Sequence, residues 1–157
     1  NLAAGPNRIW FTLPLQKMRD VLVSDFKVTP LDRLVRTPVF GDGWYAQETV
    51  PEGTFRWMGD RATVLIAART PMHHTLSIDF LNTPYAKTVQ VVMNGSIVLE
   101  HQVLAATRIR IPVELKQDEN IVELVPKEGC RRPVDEGLST DTRCLSFRVH
   151  NMSLDAS

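Results

Sequence analysis

The chain reads as an all-β protein: an antiparallel two-sheet β-sandwich of about nine strands, jelly-roll-like rather than immunoglobulin-like. Three observations predict this. Short runs of period-two apolar alternation recur along the chain, separated by turn residues. Helical periodicity is weak; its nearest case, Leu13 to Val23, holds Pro14 and has no cap, and ten prolines are spread along the chain. All three tryptophans precede Cys130, so the Cys-Trp-Cys order of an immunoglobulin domain is absent.

The elements follow in order. Residues 1–20 read as a linker or edge segment, and 21–157 as a single sandwich domain. Val21 to Val28 is a first strand. Trp44 to Thr49 and Thr54 to Met58 form an aromatic pair of strands around a Pro51-Glu52-Gly53 turn. Ala62 to Ala68 is nearly all apolar, as suits a central strand covered on both faces. Thr75 to Leu81 alternates, with Leu76, Ile78 and Phe80 inward. Thr88 to Met93 and Ser96 to His101 flank Asn94-Gly95, a strong short-range hairpin signal because both residues tolerate positive φ. Thr107 to Val113, Asn120 to Val125 and Leu145 to Leu154 complete the set. Pro71 to His74, Asn82 to Pro84 and Lys116 to Glu119 read as loops.

Lys plus Arg and Asp plus Glu balance at 18 each, so no global field favours nucleic acid or an anionic membrane. Acids (Asp135, Glu136, Asp141) closely follow the one basic doublet near the C-terminus, Arg131-Arg132. No apolar run of about 18 residues is present to span a bilayer. The chain opens on Asn1-Leu2-Ala3-Ala4 without an initiator Met or a signal peptide. It reads as an excised or processed piece, which leaves the compartment open.

Cys130 and Cys144 border one long polar segment. A disulfide closing it would contribute roughly 3 kcal/mol and place the domain outside the cytoplasm; the alternative is two unrelated thiols in a reducing cell. No G-x-S-x-G elbow, H-x-x-x-H or C-x-x-C spacing occurs, and nothing marks two of Glu48, Asp79, Glu100 and Glu123 as a catalytic pair. No cofactor is expected. The loop carboxylates Asp42, Asp60 and Asp141 are unspecific candidates for a structural calcium ion. Neither a dinucleotide-binding glycine pattern nor a P-loop is present.

The segment Gly43 to Gly59, GWYAQETVPEGTFRWMG, is the best candidate for a recognition surface. Indole and phenol planes stack on the apolar faces of sugar rings, and Arg and Glu bond their hydroxyls. Trp44, Tyr45, Glu48, Arg56 and Trp57 are therefore the leading ligand-binding candidates, with His73, His74 and Tyr85 secondary. The competing reading makes the indoles core residues and Glu48–Arg56 a cross-strand ion pair.

Two short motifs in this order, GWYAQE…FRWMG and the late C…DTRCLSFRVHNMSL, resemble a family of accessory β-sandwich domains in extracytoplasmic parts of bacterial membrane glycosyltransferases. The matching positions are Gly43, Trp44, Glu48, Arg56, Trp57, Asp141, Arg143, Leu145, Ser146, Phe147, Val149 and Asn151. The resemblance implies a carbohydrate-binding-like domain without its own catalysis. Its implied partners are a glycan and the parent glycosyltransferase, in the periplasm or at the cell surface, tethered to the membrane through that parent. A structural or protein-interaction sandwich is the first alternative, and a sandwich-fold hydrolase or lyase the second.

Overall fold

A computed structural model describes residues 37–51, 53–81 and 83–156. The expected linker 1–20 and the expected strand Val21–Val28 lie outside the described residues. Ten strands follow: β1 (Val39–Phe40), β2 (Trp44–Val50), β3 (Gly53–Met58), β4 (Ala62–Ala68), β5 (Met72–Leu81), β6 (Thr88–Met93), β7 (Ser96–Gln102), β8 (Thr107–Leu115), β9 (Asp118–Pro126) and β10 (Arg148–Ala156). They form two five-stranded antiparallel sheets, ordered β1-β4-β9-β6-β7 and β2-β3-β10-β5-β8.

The pairings are nested. β6 pairs β7, β5 pairs β8, β4 pairs β9 and β3 pairs β10. A long hairpin has in effect been rolled so that successive pairs fall in alternate sheets, which is the jelly roll expected from the sequence. β1 and β2 extend the two sheets at one side, beside β4 and β3. The roll starts at its tightest turn, where Asn94 (φ 49°) and Gly95 (φ 82°) both take the left-handed conformation that joins β6 to β7.

The inner faces meet in one apolar core. Val64 and Ile66 of β4, Val89 and Val91 of β6, and Val122 and Leu124 of β9 face Leu76, Ile78 and Phe80 of β5 and Phe147, just before β10. All are essentially solvent-free. The period-two pattern that identified each strand is therefore the pattern that fills the core.

Three expectations need correction. Pro71 to His74 is not a loop: β5 begins at Met72, because β8 runs on to Leu115 and pairs Met72 with Leu115, His73 with Glu114 and His74 with Val113. The last strand starts at Arg148 rather than Leu145, which instead makes an isolated bridge to Arg131. The Lys116 to Glu119 loop shrinks to residues 116 and 117, since β9 starts at Asp118. Pro112 lies within β8, where it is tolerated because β8 is the edge strand of its sheet.

Candidate functional site

The β2–β3 hairpin carries most of the residues singled out by sequence, and its alternation divides them between two faces. Trp44 pairs with Met58, Gln47 with Arg56, Glu48 with Phe55 and Thr49 with Thr54. Met58 is a core residue, so Arg56 and Thr54 share its side of β3. Phe55 and Trp57 point the other way.

That outer side is a second, smaller apolar cluster. Phe55, Trp57 and Leu145 are buried, with Tyr45, Val50, Leu81 and Tyr85 packed around them. Trp57 meets Phe55 edge-on at 6.0 Å between ring centroids and Tyr85 at 5.6 Å. The Arg148 guanidinium lies over both Phe55 and Trp57. The chain from Cys130 to Cys144, closed by a disulfide, is fastened onto this cluster. Tyr45 Oη donates to the Cys144 carbonyl and accepts from the Cys144 amide, both at 3.2 Å. Arg143 sits over the Tyr45 ring and pairs at 2.6 Å with both Glu48 and Asp141.

The late motif is thus anchored to the early one. Hydrogen bonds from Arg143 hold the Asp141 carboxyl below its ordinary pKa, and those bonds to Asp141, then Glu48, raise the Arg143 value further. Buried Ser146 donates to the Met58 and Gly59 carbonyls. Gly43, at φ 82°, lies so close to Arg61 that a Cβ would fall 1.7 Å from that residue's carbonyl oxygen. The expected Glu48–Arg56 ion pair does not form. The register sets Glu48 opposite Phe55, on the Arg143 side, and Arg56 opposite Gln47 on the other.

The inner side of the hairpin opens into a cleft of about 250 Å³. β3 and β10 pair only at Trp57–Arg148 and Arg56–Val149. A bulge between Val149 and Asn151 then leaves His150 without a partner on β5, and the two strands part. The His150 imidazole reaches across to the Thr54 carbonyl at 2.5 Å, where a ladder bond would otherwise lie. Bulges of this kind recur beside binding sites because they re-aim side chains and interrupt pairing.

Thr37, Phe40, Gln47, Arg56, His150 and Asn151 line the cleft, over a floor that includes Val149 and Met152. Arg56 donates to the Tyr45 carbonyl at 3.2 Å and its guanidinium lies 5.2 Å from the Phe40 ring centroid. Phe40 in turn meets Trp44 edge-on at 4.9 Å. Trp44 itself is half-buried against the main core, with its indole N–H donated to the Thr63 carbonyl at 2.7 Å.

Of the eight candidates, then, Tyr45, Glu48, Trp57 and Tyr85 share the outer cluster, while Trp44 and Arg56 belong to the inner side. His73 and His74 lie at the far end of β5, away from both. Sequence reasoning did not name Phe40, Gln47, His150 or Asn151 as ligand-binding candidates, although Gln47 lies in the segment it singled out and Asn151 in the late motif. A two-residue strand such as β1 has no periodicity to detect, and nothing local marks the bulge that brings His150 and Asn151 to Arg56. Among the described residues no cluster of three or more His, Cys, Asp and Glu is arranged to hold a metal ion. A second depression of about 320 Å³, lined by Thr88, Glu100, His101, Gln102, Lys127 and Glu128, has no Phe, Tyr or Trp among its described lining residues. Its acids are engaged: Glu100 with Lys127 and Gln90, and Glu128 with the amides of Lys87 and Thr88.

The arrangement defines a jelly-roll sandwich with a small polar cleft beside its first hairpin. No protein-family model and no curated protein matches the chain. Solved structures do. The family 35 carbohydrate-binding module from Cellvibrio japonicus Abf62 is 17% identical, over 79% of this chain and 94% of that one, with a TM-score of 0.53. The Podospora anserina GH26-CBM35 β-(1,4)-mannanase is 16% identical, over 77% of this chain and 28% of that one, with a TM-score of 0.51. The shared feature is the fold.

Proposed function

We propose that this chain is a non-catalytic carbohydrate-binding-like module whose site is the β3–β10 cleft. The observation that carries the reading is that cleft: an open concavity with apolar rings on one side and guanidinium, amide, imidazole and hydroxyl groups on the other. Gln47, Arg56, Asn151 and Thr37 supply donors and acceptors for ring hydroxyls, and Phe40 supplies the apolar surface. At about 250 Å³ the cleft is below the roughly 300–1,000 Å³ of drug-sized ligand pockets. It suits one sugar ring at a chain end better than the middle of a polymer. Among the described residues no carboxylate lines it. The likeness to carbohydrate-binding modules supports the reading through the fold.

The disulfide is what an oxidising compartment allows, which supports a place outside the cytoplasm. The pairing of the two motifs, through Arg143 and Glu48, supports the resemblance to accessory domains of membrane glycosyltransferases, where this module would hold a glycan for a neighbouring catalytic domain. Calorimetric titration with a panel of mono- and oligosaccharides tests it. Binding is expected with sub-millimolar affinity, weakened at least fivefold by Gln47→Ala and by Asn151→Ala. No saccharide bound at millimolar concentration would overturn it.

One observation favours a second reading, a packing module for an adjoining domain. Val39, Leu65 and Ile121 lie side by side on the outer face of the β1-β4-β9 sheet, with Ile97 and Val92 on the next rung. Val39 and Ile97 are more than half exposed, and contiguous apolar surface of this kind marks contact regions. Ile121→Lys leaving every association of the parent protein unchanged would remove this reading.

A further inference from the structure

We propose that Asn94 is a self-modification site under the control of the fold. Ring closure onto the Gly95 nitrogen converts its carboxamide to aspartate or isoaspartate, and the product cannot rebuild the contact that ties the β6–β7 turn to the β8–β9 connection. Asn94 is the one asparagine of the chain followed by glycine. Both its backbone and its side chain bind β9. The Asn94 amide donates to the Ile121 carbonyl at 2.9 Å, and Asn94 Oδ1 accepts from the Ile121 amide at 2.9 Å. Asn94 Nδ2 donates to Asn120 Oδ1 at 3.0 Å.

Asn120 is fully buried, and both ends of its carboxamide are committed. Besides Asn94 Nδ2, its Oδ1 accepts from the Lys116 amide at 2.8 Å. Its Nδ2 donates to the Lys116 carbonyl at 2.9 Å and to the Ile66 carbonyl at 3.4 Å. These bonds close the turn between β8 and β9, which belong to different sheets. They also fix which way the carboxamide points. Turned over, it would set N–H against the Lys116 N–H and oxygen against the Lys116 carbonyl. The Asn94 side chain is thus the outer member of a polar lock that joins a hairpin tip to a crossover between the sheets.

The chemistry needs only water. The Gly95 nitrogen, on losing its proton, attacks Asn94 Cγ. A C–N bond forms, the Cγ–Nδ2 bond breaks, and ammonia leaves behind a five-membered cyclic imide. Water then opens the ring at one carbonyl or the other, to aspartate or to isoaspartate. Glycine has no side chain to hinder the attack, and a Cβ on Gly95 would meet no atom of the described residues within 4 Å. The restraint comes from the fold. The departing Nδ2 is the atom bonded to Asn120, and ring closure draws Cγ away from β9, so conversion waits on local opening of the turn. Afterwards a carboxylate oxygen stands in place of Nδ2 and faces Asn120 Oδ1, acceptor against acceptor. Isoaspartate also adds a backbone atom to a two-residue turn that holds Asn94 at φ 49° and Gly95 at φ 82°.

Ageing the whole chain in mildly alkaline buffer, folded and in denaturant, with peptide mapping of the asparagines, tests this. Conversion in the folded chain is expected at Asn94 ahead of every other asparagine, and at least about tenfold slower there than in the unfolded chain. Amide exchange at Lys116 and Ile121 should quicken in the aged protein. Asn94→Asp, which makes the first product directly, should melt about 3–8 °C below the unaltered chain. Asn94→Gly, which accepts the same turn conformation and sets no oxygen against Asn120, should lose less. No conversion at Asn94 beyond that of the other asparagines in the folded chain overturns the site. Equal rates in the folded and unfolded chain overturn the restraint by the fold. Asn94→Asp as stable as the unaltered chain overturns the lock. If Asn94→Asp does not fold, exchange in the aged chain decides: unchanged exchange at Lys116 overturns the lock, and faster exchange there supports it.

Discussion

The outer and inner sides of the β2–β3 hairpin are written in alternate residues of one short sequence, yet they are built on opposite principles. Outside, the polar groups around the cluster are matched within the protein in several places: Tyr45 with Cys144, Glu48 and Asp141 with Arg143, and Arg148 over two rings. Aromatic surface there is buried under the chain that the disulfide closes. Inside, where β3 and β10 part, Gln47, Arg56 and Asn151 line open space and Phe40 is partly exposed. A residue type that suggests recognition in the sequence is thus a poor guide by itself. The face of the strand on which it falls decides whether a ring stabilises or recognises.

Substitutions can separate the two faces. Trp57→Ala should have the largest effect, because it empties the middle of the outer cluster between Phe55, Tyr85 and Arg148. A loss of about 3–5 kcal/mol in denaturant unfolding is expected. Gln47→Ala, on the inner side of the neighbouring strand, should change stability by less than about 0.5 kcal/mol while it weakens ligand binding. If Trp57→Ala instead left stability intact and abolished binding, the assignment of the two faces would be reversed.

Removing the disulfide, by replacing both Cys130 and Cys144 with Ala, should cost about 3 kcal/mol. Amide exchange should speed up across residues 131–143 and at the Tyr45 end of β2, where the chain is fastened. Affinity in the cleft should stay within about twofold, because neither Cys130 nor Cys144 is among the described residues that line it. A matching loss of affinity would show that the two sides are coupled through the hairpin.

Much of the fold was legible in the sequence, and for a physical reason. The alternation in Thr75 to Leu81 and Thr107 to Val113, and the Asn94-Gly95 turn, are local signals that map directly onto inward and outward faces. Strand ends were less legible: β5 and β8 extend each other through pairing, so Met72, His73 and His74 joined a ladder that their own sequence does not announce. The site was legible only in part. Arg56 was visible as a charged residue in an aromatic hairpin. Its neighbours Phe40 and His150 are 16 residues before it and 94 after it, and the Val149–Asn151 bulge that brings the last of them in depends on register. The Glu48–Arg56 pairing failed for the same reason. Opposite charges on a hairpin meet only if the register sets them on one face, and a shift between Trp44 and Gln47 put them on two.

The smallest effect, and the one that sharpens the comparison furthest, is the response to acid. Asp141 has its pKa lowered, first by the side-chain bond from Arg143 and then by the Arg143 amide. A carboxyl depressed in the folded state stabilises above its unfolded value and loses that contribution as pH falls through the folded one. The outer clamp should therefore weaken below the ordinary Asp value of 3.8. Among the described residues the cleft holds no carboxylate, and it should show no matching change of its own. Glu128 complicates a simple melting curve. Burial opposes its ionisation, but the amides of Thr88 and Lys87 outweigh this and hold it at about 2, so it too loses stabilisation between its ordinary 4.5 and that value. The comparison that isolates the clamp is Asp141→Asn against the unaltered chain. Their melting temperatures should differ by one to a few degrees at pH 6, and the difference should shrink progressively as the pH falls below the ordinary Asp value, with amide exchange changing only around residues 131–143. A difference that does not shrink at any pH down to acid unfolding would mean that Asp141 stabilises by shape and hydrogen bonding alone, and that the outer face is not an electrostatic clamp.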